Sequence, residues 1–156
     1  MVSEIARRVM KAHGFTRKDL NRLEMQEAIL DAVLEDHEAD SGEKPKVHDR
    51  SAIDPIAYAV LTAKNEEEAS WRKNYLLSNS RFRSALGAYR ESTFILLKPV
   101  KKWIVDDGIR YIDNLDECYE VFVRILRECE IEFREIGSEI GFLEERVSWL
   151  MGLCML

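Results

Sequence analysis

The stretch that most restricts the fold is Phe94–Arg110, FILLKPVKKWIVDDGIR, which follows Thr93. It opens with four large apolar residues, Phe94, Ile95, Leu96 and Leu97. An apolar run this short predicts a strand of a parallel sheet, covered on both faces, rather than a helix. Pro99 ends the strand because it has no N–H for a ladder. Lys98, Lys101, Lys102 and Arg110 then surround Asp106, Asp107 and Gly108, with Trp103 in the middle. A buried strand emptying into a charged, Gly-containing loop is where open α/β sheets place ligand chemistry, at the carboxyl ends of their strands. Composition alone favours a core strand followed by a solvated turn.

The 156 residues are one domain's worth, and 46% hydrophobic with 33% charged content is ordinary for a globular protein. A net charge of -6 argues against nucleic acid as a partner, since phosphate calls for a basic face. Cys118, Cys129 and Cys154 cannot all pair and have no metal-ligand spacing. Cys118 and Cys129 fall on the apolar side of one predicted helix, as small core hydrophobes do. A reducing compartment fits. There is no long apolar run, and Met1–Gly14 carries Glu4, Arg7 and Arg8 among its apolar residues. The expectation is therefore a soluble, cytoplasmic protein with no transmembrane segment or signal peptide.

In chain order, Ser3 caps a first short helix with Ile5, Val9 and Ala12 on one face, stopped by Gly14. Thr16 is a predicted N-cap, with Phe15 and Leu20 at the positions of a hydrophobic staple, for a helix running to about Ala39. Residues 40–45, DSGEKP, read as an exposed loop. Asp54 before Pro55 predicts a helix start with a side-chain cap and proline at the first helical position. Asn65 with Glu68 predicts another capped start, and Trp71 and Tyr75 lie four apart on that helix as packing aromatics. Ser80 begins a helix with Phe82, Leu86 and Tyr89 inward. Asn114 and Glu117 cap a helix whose apolar stripe holds Leu115, Cys118, Tyr119, Phe122, Ile125, Leu126 and Cys129. Ile131–Ile136 reads as a second strand turned by Gly137, and a last helix carries Leu143, Val147, Leu150 and Met151. No linker divides the chain, so residues 1–156 are expected to form a single domain.

Three features could carry chemistry, each with a plain structural alternative. Asp49-Arg50-Ser51 could hold a metal-bound water beside a phosphate, because arginine offers a planar fork of donors; surface Asp-Arg pairs are far commoner. Arg110 could close over transferring phosphates, or be a solvated loop residue. Glu4 could orient a substrate, or be an ordinary surface helix residue. His13, His37 and His48 are scattered and suggest no metal site.

Taken together, residues 3–7 (SEIAR), 14–17 (GFTR), 49–59 (DRSAIDPIAYA) and 103–110 (WIVDDGIR) resemble one family. It is the AAA-domain P-loop NTPases related to the kinase domain of NadR, the nicotinamide riboside kinase, in its fungal-type members of unassigned substrate. The resemblance spans nearly the whole chain. It implies an α/β fold, here a helix-rich remnant of a parallel-sheet, nucleotide-kinase-like P-loop NTPase. It also implies ATP with magnesium as cofactors, and a nucleotide and a small-molecule acceptor as partners. By position, Asp49 matches the acid beside magnesium and phosphates, and Arg50 its phosphate- or substrate-facing neighbour. Trp103, Asp107 and Arg110 match the lid segment that closes on nucleotide. Glu4 matches the acceptor-side carboxylate, and Gly137 the position where adenine passes.

Two departures accompany the matches. The 156 residues contain no G-x-x-x-x-G-K-[ST], whose backbone N–H groups and lysine hold phosphates. Before Asp49, where the family has a strand, residues 43–48 (EKPKVH) offer one apolar residue. The expectation is an N-terminally truncated member, catalytically impaired alone, whose sheet edge is exposed and prone to self-association. The alternative is a non-catalytic binding or regulatory helical protein. In the resembled fold Asp49 and Arg110 would point into one cleft.

Overall fold

A computed structural model describes residues 4–39, 47–103 and 114–154. They fall into two compact units, Met1–Leu86 and Gly87–Leu156; each is described by itself.

The first unit is helical. α1 (Glu4–His13) ends where Gly14 takes a φ of 71°, the left-handed conformation that glycine adopts at low cost. Thr16 caps as expected, but what it caps is a single 3-10 turn, Arg17–Asp19. The Asp19 carboxylate accepts from both the backbone N–H and the hydroxyl of Thr16, each at 2.8 Å. This reciprocal box closes the turn on itself, and the long helix α2 starts only at Leu23 and runs to Ala39. α3 (Ile53–Leu61), α4 (Glu66–Leu77) and the start of α5 (Ser80–Glu91) complete the unit.

Asp54 is not the cap of α3. Ile53 already lies in the helix, and the Asp54 carboxylate reaches back to the Ser51 N–H at 2.9 Å. Asn65 does cap α4, accepting from the Glu68 N–H at 2.8 Å. Asn79, just ahead of Ser80, caps α5 by accepting from the Arg81 and Phe82 N–H groups. α2 packs on α1 and α3, and α3 on α4. Leu30, Leu34, Ile56, Ala57 and Ala59 are wholly shielded from solvent between them. Burying each of the large aliphatic side chains contributes about 1.5–3 kcal/mol. The one buried glutamine, Gln26, donates to the Leu20 carbonyl at 3.0 Å, so its burial leaves a satisfied amide. Trp71 and Tyr75 stack on each other at 5.8 Å, but they do so at the surface, exposed to 57% and 43%.

The second unit is a β–α–β arrangement. β1 (Phe94–Leu97) pairs in parallel with β2 (Phe133–Ile136), in the register Phe94 to Phe133 and Leu97 to Ile136. Parallel partners need a crossover, and α6 (Leu115–Glu128) lies within it. Among the described residues the sheet has these two strands. The expectation that β1 is covered on both faces is not met: Phe94, Ile95 and Leu96 are half-buried and Leu97 is 65% exposed. A strand is covered in this way only when neighbours flank it and helices lie on both faces.

Asn114 caps α6 as its sequence predicts, accepting from the Glu117 N–H at 3.1 Å. Ile125, Leu126 and Cys129 of the predicted stripe are buried, and so are Val121 and Val123 outside it, so the covered face is broader than the stripe. The Cys118 side chain is half-buried and that of Cys129 buried. α7 (Leu143–Cys154) follows, with Leu143, Val147 and Met151 largely exposed although their spacing predicts an inward face. Among the described residues, no helix is long and apolar enough to cross a membrane.

Candidate functional site

In the first unit, Asp49 and Arg50 stand on the irregular segment ahead of α3. Arg50 has a φ of 140°, a backbone conformation that a residue with a Cβ rarely adopts. Such outliers persist only where surrounding contacts hold them, and they gather at functional sites. The holding contact is visible: Arg50 Nη1 donates to Asp54 Oδ1 at 2.7 Å. Burial alone would lower the Arg50 guanidinium, but the charge and hydrogen bond of Asp54 outweigh it and hold it above the ordinary arginine range. Asp54 Oδ2 takes the Ser51 N–H and hydroxyl. Asp54 is thus occupied on both oxygens, while Asp49 is exposed. The result is a tight Asp-Arg-Ser turn that displays one carboxylate.

Glu4 opens α1, and its side chain lies outside the described residues, as do Asp107 and Arg110 entirely. The expected convergence of Asp49 with Arg110 therefore falls outside what the structure describes.

In the second unit, two sequence candidates come together. Trp103 closes the 3-10 turn Lys101–Trp103 after β1, and Gly137 follows β2 directly. Both stand at the carboxyl ends of the parallel strands, and one side chain bridges them. Arg146 lays its guanidinium over the Trp103 ring, 4.2 Å from the centroid. Its Nη2 donates to the Gly137 carbonyl and its Nε to the Ile140 carbonyl, each at 2.8 Å. Gly137 in turn donates its N–H to Glu139 at 2.8 Å. A Cβ on Gly137 would meet the Lys98 Cβ at 3.1 Å, so the two strand exits approach as closely as glycine permits.

Several charges around this cluster are paired. Lys98 pairs with Glu135 at 3.3 Å, and Glu135 accepts the Tyr119 hydroxyl. Burial, and then the Glu135 hydrogen bond and charge, push the Tyr119 phenol up to about 12. The Tyr119 bond, then Lys98, hold Glu135 below its ordinary range. Glu139 is likewise held low, first by its own backbone N–H and that of Gly137, then by Lys98 and Arg146.

Sequence reading does not find Arg146. It lies in the first turns of α7 without a motif, and its contacts join segments distant in the chain. Among the described residues no group of three or more His, Cys, Asp or Glu could hold a metal ion. A shallow hollow of about 370 Å³ at the start of α4 is lined by Lys64, Asn65, Glu67, Glu68 and Trp71, none of them a sequence candidate.

A family model described as "AAA domain" matches residues 1–146. No curated protein and no solved structure matches the chain.

Proposed function

Because the chain belongs to the AAA-domain family, we propose that it is a nucleotide-binding protein of P-loop NTPase type, related to small-molecule kinases of the NadR kind. The observation that carries this reading is the family match over residues 1–146. The geometry supports it in two places. The Asp-Arg-Ser turn presents one carboxylate beside an arginine, and magnesium is held in nucleotide sites through one or two carboxylates plus phosphate oxygens and water. The chemistry of Asp49 fits that role, and Arg50 keeps guanidinium N–H groups beyond the one given to Asp54. At the strand exits of the second unit, Trp103 offers a partly exposed aromatic ring beside Gly137, which suits an adenine. By the same resemblance, Asp107 and Arg110 are assigned to the lid segment and Glu4 to the acceptor-side carboxylate. Magnesium, when bound, would neutralise charge on the transferring phosphates.

Phosphoryl transfer in this class depends on preorganised donors around the phosphates. The 156 residues include no G-x-x-x-x-G-K-[ST] cradle, and losing even one such donor costs about 3–4 kcal/mol. These residues alone are therefore expected to bind nucleotide without useful turnover. The test is calorimetry of ATP binding with and without magnesium, on the parent and on Asp49→Asn. Binding that needs magnesium and weakens in the variant is the expected result. Binding indifferent to both, or none at all, would sink the proposal.

A further inference from the structure

Among the described residues, Arg146 touches three segments at the strand exits of the second unit: the turn after β1 through Trp103, the residue after β2 through Gly137, and the approach to α7 through Ile140. Trp103 is 39% exposed, with the Arg146 guanidinium stacked on its ring. Among the described residues Lys98 and Arg146 are set against Glu135 and Glu139, while Lys101 of the same turn as Trp103 is exposed. A partly exposed indole held at a fixed angle suits a flat, uncharged aromatic group, which stacks on it.

We infer that Arg146 is a positioning residue, which locks Trp103 and the β2 exit into one wall against which the base of a bound nucleotide stacks. The inference rests on the nucleotide-binding reading above. Arginine suits the task because its planar fork can stack on an indole and donate to two carbonyls at once. Lysine keeps the charge but has no fork.

The test uses the full chain carrying Trp71→Phe and Trp149→Phe, so that Trp103 is the one tryptophan, excited selectively over the tyrosines. Acrylamide quenching reports how far Trp103 is held, and titrations with MgADP and with magnesium pyrophosphate report base-side and phosphate-side binding. In Arg146→Met, Trp103 should become more accessible and MgADP affinity should fall about tenfold, with pyrophosphate affinity unchanged. Arg146→Lys should show the same pattern with a smaller change, and it serves as the test if the methionine variant fails to fold. Unchanged Trp103 quenching would overturn the lock. Equal weakening of MgADP and pyrophosphate, or of neither, would overturn its role toward the base. A parent that binds no MgADP would instead overturn the nucleotide reading and the base-stacking role with it, while quenching would still decide whether the lock exists.

Discussion

The two units bury their apolar residues differently. In the first, α2 and α3 carry side chains such as Leu30, Leu34 and Ile56 with no exposed surface, and each helix covers its neighbour. In the second, Ile125 and Leu126 of α6 are equally hidden, but Leu97 at the end of β1 and Leu143, Val147 and Met151 on α7 are 49–72% exposed. A helical layer can close on itself with few elements. A parallel sheet needs strands on both edges and helices on both faces before its apolar residues are covered. The difference separates a closed scaffold bearing the Asp-Arg-Ser turn from an open sheet end bearing Trp103, Arg146 and Gly137.

The largest test of that contrast lies in the first core. Leu30→Ala and Ile56→Ala should each cost about 2–5 kcal/mol in urea unfolding, because neither site has a solvent path by which the cavity is relieved. A loss below about 1 kcal/mol would show that the scaffold is not closed.

A second effect is a titration. Tyr119 should ionise near 12 by ultraviolet absorbance, and Glu135→Gln should bring it part of the way back towards 10.0, since burial is the larger cause. With the folded value above the unfolded one, the stabilisation is complete below pH 10.0 and lost as pH rises through about 12. Tyr119→Phe should flatten that alkaline loss.

A smaller effect is expected at Arg72, whose side chain is 8% exposed and bonded to Glu68 through Nη2 at 2.7 Å. Its buried Nε and Nη1 find no hydrogen-bond partner among the described residues. Arg72→Met, of similar volume, should lie within about 1 kcal/mol of the parent or be more stable, because an incompletely satisfied buried ion contributes little. A loss of several kcal/mol would mean that those N–H groups are satisfied in solution. The smallest change belongs to α7. Met151→Ala should stay within about 0.5 kcal/mol, and a core-sized loss there would erase the contrast between the units.

What the sequence made legible was local. Gly14, Asn65 and Asn114 mark helix ends because the deciding contact lies within a few residues, and all three act as their spacing predicts. Asp54 misleads for a related reason: its carboxylate finds Ser51 and Arg50 before it, which puts it inside the helix it seemed to cap. Thr16 caps correctly, yet Asp19 returns the bond so completely that only one turn forms there. Coverage of β1 and the inward face of α7 depend on neighbours the local pattern does not contain. Arg146 illustrates this best, since an arginine early in a helix is common and only the fold brings it over Trp103. At Asp49-Arg50-Ser51 the sequence supplies the residue types, but not the positive φ that distinguishes Arg50.

The central claim is that the strand exits of the second unit face a nucleotide, and backbone amide NMR during a MgATP titration tests it most directly. The account predicts saturable shifts concentrated at Lys98, Trp103, Gly137 and Glu139, with the amides of Leu30, Leu34 and Ile56 unmoved. Shifts confined to other surfaces, or a spectrum unchanged at saturating MgATP, would contradict it.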